Sequence, residues 1–522
     1  MKFVKINIAA LLLLAAFSGA SAASTYGDMR NEARNHAPSF YKETLKNIGA
    51  EGPISPAPQV GSAEEAFEEA IGRVIDMGEK EKSKSVEDTA REFLTPKALK
   101  ELSAIREAEK DDSLETFFAE VVNEDRFLAA AVEFSPAISA AGDNLRASIN
   151  KYEQTVFLDQ LLYQYLSFTE SLDTRTASTK NKRMAQMSYP FPGMVSLKGD
   201  AVQKDVEIAR VSYEEAALGV LAEVKIAYAD LLYLDGALEI TRENLGLARS
   251  IERVATELYG TGMAAYSDLV KISIRVDKLE TMAGTYGRKK AAAETRLLRA
   301  AGLPAGIKPG ELEEAALPEV PELKELRAVA LKQRQELRRM ELALERMDIM
   351  IDMAGRKLFP DYSLGLSYFQ NREIASVGTQ GVAPSFVVRP MESGAGPDFA
   401  SENAYIREMR DRRSAMAGEL ENMRNDTIAG VDTYYARYVS ASDTAETYRN
   451  SILIKAQNAY DASLSAYSAG GADFIDLLDA HRELLDQKLT FEEAERDARS
   501  GLAMLEKTVG GGPVSVKEGV SK

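Results

Sequence analysis

The chain is 522 residues long, carries a formal net charge of −17, and contains no cysteine and only two histidines. That balance excludes a nucleic-acid binder, which needs a basic footprint, and a disulfide-stapled fold. It also excludes a structural zinc or copper centre, for which His36 and His481 supply too few ligands, and no resident cofactor or metal is expected.

Residues 1–22 carry Lys2 and Lys5, then the apolar run Ile8 to Phe17, then Ala20-Ser21-Ala22. This is the order of a secretory signal peptide, and the apolar run is too short to cross a bilayer as a helix. A retained N-terminal anchor is the other reading of the same run. Residues 23–111 resemble neither half of the remaining chain and contain the Pro/Gly stretch Gly49 to Gly61. They read as an N-terminal extension, flexible in part.

From residue 112 onward the chain is duplicated. Tyr259, Gly262, Asp268 and Leu269 return as Tyr467, Gly470, Asp476 and Leu477 at one constant offset, which also relates Leu297 to Leu505 and Gly302 to Gly510. Repeat 1 covers 112–302, a proline-rich linker 303–317, repeat 2 318–510, and the glycine-rich tail 511–522 reads as disordered. Copies this long are supersecondary assemblies rather than solenoid units. Each runs through a helix, a strand-like stretch, a Pro/Gly turn region, a very long helix, the Tyr-x2-Gly-x5-Asp-Leu phrase and a returning helix.

The long helices, Gly199 to Leu258 and Ala400 to Ala466, contain no proline and would reach about 90 to 100 Å at their ordinary rise. Their charge density excludes a membrane span and leaves a coiled coil. Leu221, Val224, Tyr228, Leu231, Leu238 and Leu245 form its 3.5-residue seam, interrupted by Asp235 and Arg242. The returning helices, Met263 to Ala301 and Asp473 to Lys507, and the opening helix of repeat 2, Glu322 to Lys357, are shorter. Two of them laid end to end across the linker match one long helix.

Strand signals are sparse. Tyr362, Leu364, Leu366 and Tyr368 alternate with Ser363, Gly365 and Ser367, the pattern of a lipid-facing barrel strand or of a half-buried strand in a soluble sheet. A return strand includes Ser385 to Arg389, and repeat 1 offers Phe157 to Thr169 and Met184 to Tyr189. Four strands cannot close a barrel, for which about eight is the practical minimum. Either they cap a soluble bundle or several chains share one barrel.

With these features in place, residues 112–510 resemble the TolC-like outer-membrane efflux proteins. The resemblance rests on Tyr259-Gly-Thr-Gly262-Met-Ala-Ala-Tyr-Ser-Asp268-Leu269, on Tyr467-Ser-Ala-Gly470-Gly-Ala-Asp-Phe-Ile-Asp476-Leu-Leu-Asp479-Ala480, and on the order of elements. The stretch Gln186 to Gly193 is similar to the heavy-metal efflux branch, although Met194 stands where that branch often has a basic residue. The resemblance implies a mainly α fold with a small β part. Long coiled-coil helices form a periplasmic α-barrel, and four strands per protomer enter a trimeric 12-stranded outer-membrane β-barrel in contact with lipid. It further implies a passive export duct of a tripartite efflux or type I secretion system, partnered by a periplasmic adaptor (membrane fusion protein) and an inner-membrane pump, with the cargo left open among metal ions, drugs and polypeptides.

In that family the repeated phrase forms the tips of helical hairpins. Gly262 and Gly470 then supply the permissive backbone of the turn, Ser267 or Asp473 assists the next helix start, and Thr261, Met263 and Gly471 join the two glycines as adaptor-docking positions. Asp476 and Asp479 match entrance carboxylates, while Tyr467 and Asp268 match residues that hold neighbouring tip helices together. The family's gate arginine falls on Ala472 here, and Arg482 is the nearest other cation. From another class, a soluble periplasmic coiled-coil scaffold with strands capping the bundle answers the same pattern. Nothing suggests an enzyme: there is no phosphate-binding glycine loop or nucleophile–base set, and His481 beside the tip carboxylates reads as a solvated helix residue.

Overall fold

The computed structural model describes residues 60–83, 91–110, 113–158, 164–168, 172–174, 177–189, 194–260, 265–356, 362–371, 386–390, 399–468 and 473–511. The signal sequence, the first part of the extension and the tail lie outside them, as do Thr261, Gly262, Met263, Gly470, Gly471 and Ala472 at the tips.

Twelve α-helices are described: α1 Val60–Lys82, α2 Pro96–Lys110, α3 Leu114–Ala119, α4 Glu124–Phe134, α5 Pro136–Leu158, α6 Met194–Gly260, α7 Tyr266–Ala300, α8 Leu323–Gln333, α9 Gln335–Arg356, α10 Phe399–Thr447, α11 Leu453–Ser468 and α12 Phe474–Val509. Five strands accompany them: β1 Gln164–Phe168, β2 Leu172–Thr174, β3 Ala177–Tyr189, β4 Tyr362–Asn371 and β5 Phe386–Pro390. The helix α6 runs 67 residues without a break. Its counterpart in repeat 2 is divided by a π turn, Tyr448–Ile452, between α10 and α11.

The described residues among 60–83, 147–207 and 342–417 form one compact unit, and those among 91–146, 208–341 and 418–511 a second. In the first unit the strands build an antiparallel sheet in the order β1-β3-β4-β5, with β2 also on β3. The central pair joins the two repeats, Tyr189 opposite Tyr362 and Ala185 opposite Leu366. Helix α5 continues through Phe157 and Leu158, so the first strand begins later than the apolar alternation suggests, and β3 reaches back into the polar stretch from Ala177. In the same unit α1 packs closely on α6, where a Cβ on Gly199 would lie 2.4 Å from Val74. Arg73 also donates to Asp200 at 2.7 Å.

Among the described residues, the second unit holds several apolar clusters. One gathers Leu94, Ala98, Leu102 and Ile105 of the extension with Phe118, Phe127, Leu221, Val224, Tyr228, Leu231 and Leu297. The later part of the extension is therefore core. It enters through a capped turn: Thr95 accepts from the Ala98 amide at 3.0 Å and Pro96 occupies the first helical position, where a missing N–H costs nothing. The expected seam of α6 is buried from Leu221 to Leu238, with Leu245 partly so, and Asp235 at its interruption pairs with Lys290 of α7.

Repeat 2 departs from expectation at Arg334, which adopts φ −58° and ψ 125° and divides one anticipated helix into α8 and α9. Repeat 1 breaks in the same way at Ser135, with φ −66° and ψ 120°, between α4 and α5. Pro136 explains the first break, since the residue before a proline is driven out of the helical region. The second has no proline. Its cause is Gly510 at the end of α12, in the left-handed conformation with φ 92°, whose Cβ would fall 2.8 Å from the Gln333 carbonyl carbon and 2.9 Å from the Arg334 Cα. Gln335 also donates to the Gly510 carbonyl at 3.0 Å. Gly302 repeats the contact in repeat 1: φ is 72°, and a Cβ would lie 2.5 Å from the Phe134 carbonyl carbon.

Gly302→Ala is therefore expected to destabilise the protein by about 2 to 4 kcal/mol, combining left-handed strain with backbone overlap. Urea unfolding followed by circular dichroism in detergent checks this against Gly246→Ala, whose Cβ meets nothing within 4 Å.

Candidate functional site: the helical tips

Two helix ends and two helix starts meet at the repeated phrase. Helix α6 ends at Gly260 and α7 begins at Tyr266; at the equivalent positions of repeat 2, α11 ends at Ser468 and α12 begins at Phe474. Asp473 caps α12 by accepting from the Ile475 amide at 3.3 Å. Ser267 does not cap α7: Ala265 holds that place without a side-chain bond, and the Ser267 hydroxyl donates to Asp268 at 3.3 Å from inside the helix.

The four helices are bound by one apolar core. Ala248, Ile251 and Ala255 of α6, Ile272, Val276 and Leu279 of α7, Tyr460 and Tyr467 of α11, and Phe474, Leu477, Leu484 and Leu485 of α12 pack together. The two copies of the phrase use their tyrosines differently. Tyr259 is 46% exposed and its ring stands 5.9 Å from that of Tyr266. Tyr467 is 6% exposed and packs 5.3 Å from Phe474.

The candidate entrance residues divide into two groups. Asp476 and Asp479 are exposed and share a face of α12 by their spacing. Tyr467 and Asp268 lie close enough that burial first, and then the Asp268 carboxylate, push the Tyr467 phenol above its ordinary pKa. No hydrogen bond joins them, because the Tyr467 hydroxyl is buried without a partner among the described residues. Asp268 instead faces Lys271 of its own helix at 3.7 Å. Arg482 likewise pairs within α12, with Asp486 at 3.6 Å.

His481 corrects the sequence reading. It is fully buried rather than solvated, because the α12 face carrying Leu477 and Leu484 turns it into the bundle. Its Nε2 lies 3.2 Å from the Asn244 carbonyl and its ring 5.8 Å from that of Tyr460. Burial, and next the charge of Arg275, lower its pKa to about 4. The apolar spacing of Leu477, His481, Leu484 and Leu485 carried the signal, and the neighbouring charges masked it.

Core and exposed tip residues should separate cleanly in stability. Leu477→Ala is expected to cost about 2 to 5 kcal/mol through a cavity, while Asp476→Ala with Asp479→Ala should stay within about 0.5 kcal/mol of the parent; thermal unfolding in detergent measures both.

Comparison with known proteins places this geometry. The family model for outer membrane efflux proteins matches residues 326–511. Nodulation protein T of Rhizobium leguminosarum bv. trifolii is 21% identical over 353 residues, spanning 65% of this chain and 73% of that protein. The outer-membrane channel OprN superposes with a TM-score of 0.64 at 17% identity, over 75% of this chain and 90% of its own. CusC, described by its transmembrane channel formation, gives 0.60 at 16% identity over 76% and 94%. Among the described residues no helix is long and apolar enough to cross a membrane, a statement that does not bear on strands. Residues 326–511 match the family model of outer membrane efflux proteins, and the fold is similar to that of the outer-membrane channels OprN and CusC.

Proposed function

We propose that the chain is the outer-membrane channel of a tripartite efflux or type I secretion system, a passive homotrimeric duct gated at its periplasmic helical tips. The observation that carries this reading is the sheet. Both repeats contribute to one antiparallel array in which, among the described residues, β1 and β5 each pair on one side only. In a bilayer, open edges leave backbone groups without partners, so spanning strands must close into a barrel. The four strands along that path are too few to close alone, and three copies reach twelve. A soluble scaffold would not need those edges paired.

On this reading the tips are the gate. Tyr467 and Asp268 hold neighbouring tip helices together, and Asp476 and Asp479 of three chains converge on the entrance, where their summed field favours cations. Thr261, Gly262, Met263, Gly470 and Gly471 form the surface that receives the periplasmic adaptor, through which the inner-membrane pump delivers cargo.

Two measurements test the reading. Detergent-solubilised protein should have the mass of three chains, and a monomer that keeps its native helical content would overturn the shared barrel. In planar bilayers, Asp476→Ala with Asp479→Ala should lower cation selectivity and weaken block by multivalent cations. Asp268→Ala should raise conductance by loosening the contact between neighbouring tip helices. Unchanged selectivity in the double variant would reduce the two carboxylates to a solvated face.

A further inference from the structure

Inside the tip bundle, between the apolar layers, lies a polar seam that the channel fold does not require. Asn244 of α6 and His481 of α12 are both fully buried. The Asn244 Oδ1, the His481 Nδ1, and the Nε and Nη2 of Arg275 on α7 are all buried without a hydrogen-bond partner among the described residues. Two acceptors and two donors are thus held in one region by helices that stop them from pairing. The contacts they do make point elsewhere: the Asn244 amide donates to Ile240 at 2.9 Å along its own helix, and His481 Nε2 faces the Asn244 carbonyl. Buried polar groups left unpaired oppose the packed state that contains them. The seam therefore works against the apolar core that surrounds it.

We propose that Asn244, Arg275 and His481 form a proton-operated release for the tip bundle, in which His481 takes up a proton as the helices part and the seam is hydrated. The proposal rests on reading the tips as the gate. His481 sees a positive guanidinium on α7 (Arg275), the amide and carbonyl of Asn244 on α6, the Tyr460 ring on α11, and, through Arg275, Arg482 and Asp486 of its own helix. No carboxylate appears among the groups that shift His481, so a second cation in the packed seam meets lost hydration and repulsion from Arg275, which outweigh the hydrogen bond to the Asn244 carbonyl.

The direction follows from linkage. In the packed bundle His481 titrates at about 4, below its ordinary 6.5. The packed form is then at full strength above the ordinary value, and is progressively weakened as pH falls from 6.5 toward 4. Between pH 7.5 and 5.0 the population with parted helices should rise roughly 25-fold, from the ratio of proton binding in the two forms. His481→Gln, which keeps a donor and an acceptor but takes no proton, should abolish that rise. Arg275→Gln, which removes the neighbouring cation, should move the midpoint upward while leaving a pH response.

The test uses the full-length protein in detergent. Hydrogen exchange, corrected for the intrinsic pH dependence of amides, is followed in peptides spanning 240–250, 270–280 and 476–488 at pH 7.5 and 5.0. A pH-dependent rise that is lost in His481→Gln supports the release. Absence of a rise, or its persistence in His481→Gln, overturns it. Because the chain has two histidines, imidazole labelling with His36→Asn as reference reads the titration of His481 directly, and a midpoint near 6.5 without accompanying exchange also overturns it. Single-channel conductance at the same two pH values separates the two readings. Exchange that responds while conductance does not upholds the release and removes the tips as the gate. Conductance that responds while exchange does not leaves the gate standing and overturns the release.

Discussion

The structure depends on a backbone contact made twice. Each returning helix ends in a left-handed glycine, Gly302 or Gly510, pressed against the main chain of the opening helix of the same repeat at the point where that helix breaks. Only a residue without a Cβ can approach so closely in that conformation. The contact fixes the far end of α7 and of α12, and since helical rise is constant, it also fixes where each returning helix begins. The placement of the tips is thus measured from two glycines at the other end of the hairpins.

Duplication supplied the scaffold, and divergence gave the copies different tips. Tyr259 lies against Tyr266 in water while Tyr467 is buried on Phe474; Asp268 is partly covered and Asp476 is exposed. The second hairpin carries the capping Asp473, the buried His481 and the two exposed carboxylates. Its chemistry is therefore richer than that of the first, although both contribute to the shared apolar core.

Much of this was legible in sequence because it follows from period and offset. The repeated phrase located both tips, absence of proline located the long helices, and Leu221 to Leu238 named the buried seam of α6. What escaped has tertiary causes. The break at Arg334 comes from Gly510, far away in sequence, and no local residue announces it. The later extension looked peripheral because it lacks a counterpart in repeat 2, yet Ile105 and Leu102 are core. His481 was misread because its acidic and basic neighbours outweighed a helical period that placed it inward. At the tips, the described residues show which side chains share a core but leave Gly262 and Gly470 as positions inferred from the phrase.

The pairing of β3 with β4 constrains how the molecule can be made. Helical hairpins such as α6 with α7 rest on contacts between chain segments that emerge close together in time. By contrast, Tyr189 meets Tyr362 only across the whole intervening hairpin and linker, a closure whose entropy must be met before any strand hydrogen bond forms. Synthesis therefore delivers the first helical hairpin well before the sheet has its central partner. Until β4 has been made, β3 presents an unpaired edge on one side, the kind of surface on which chains aggregate. A polar leading half, Ser178-Thr-Lys-Asn-Lys-Arg183, is well suited to keep that edge in solution while it waits.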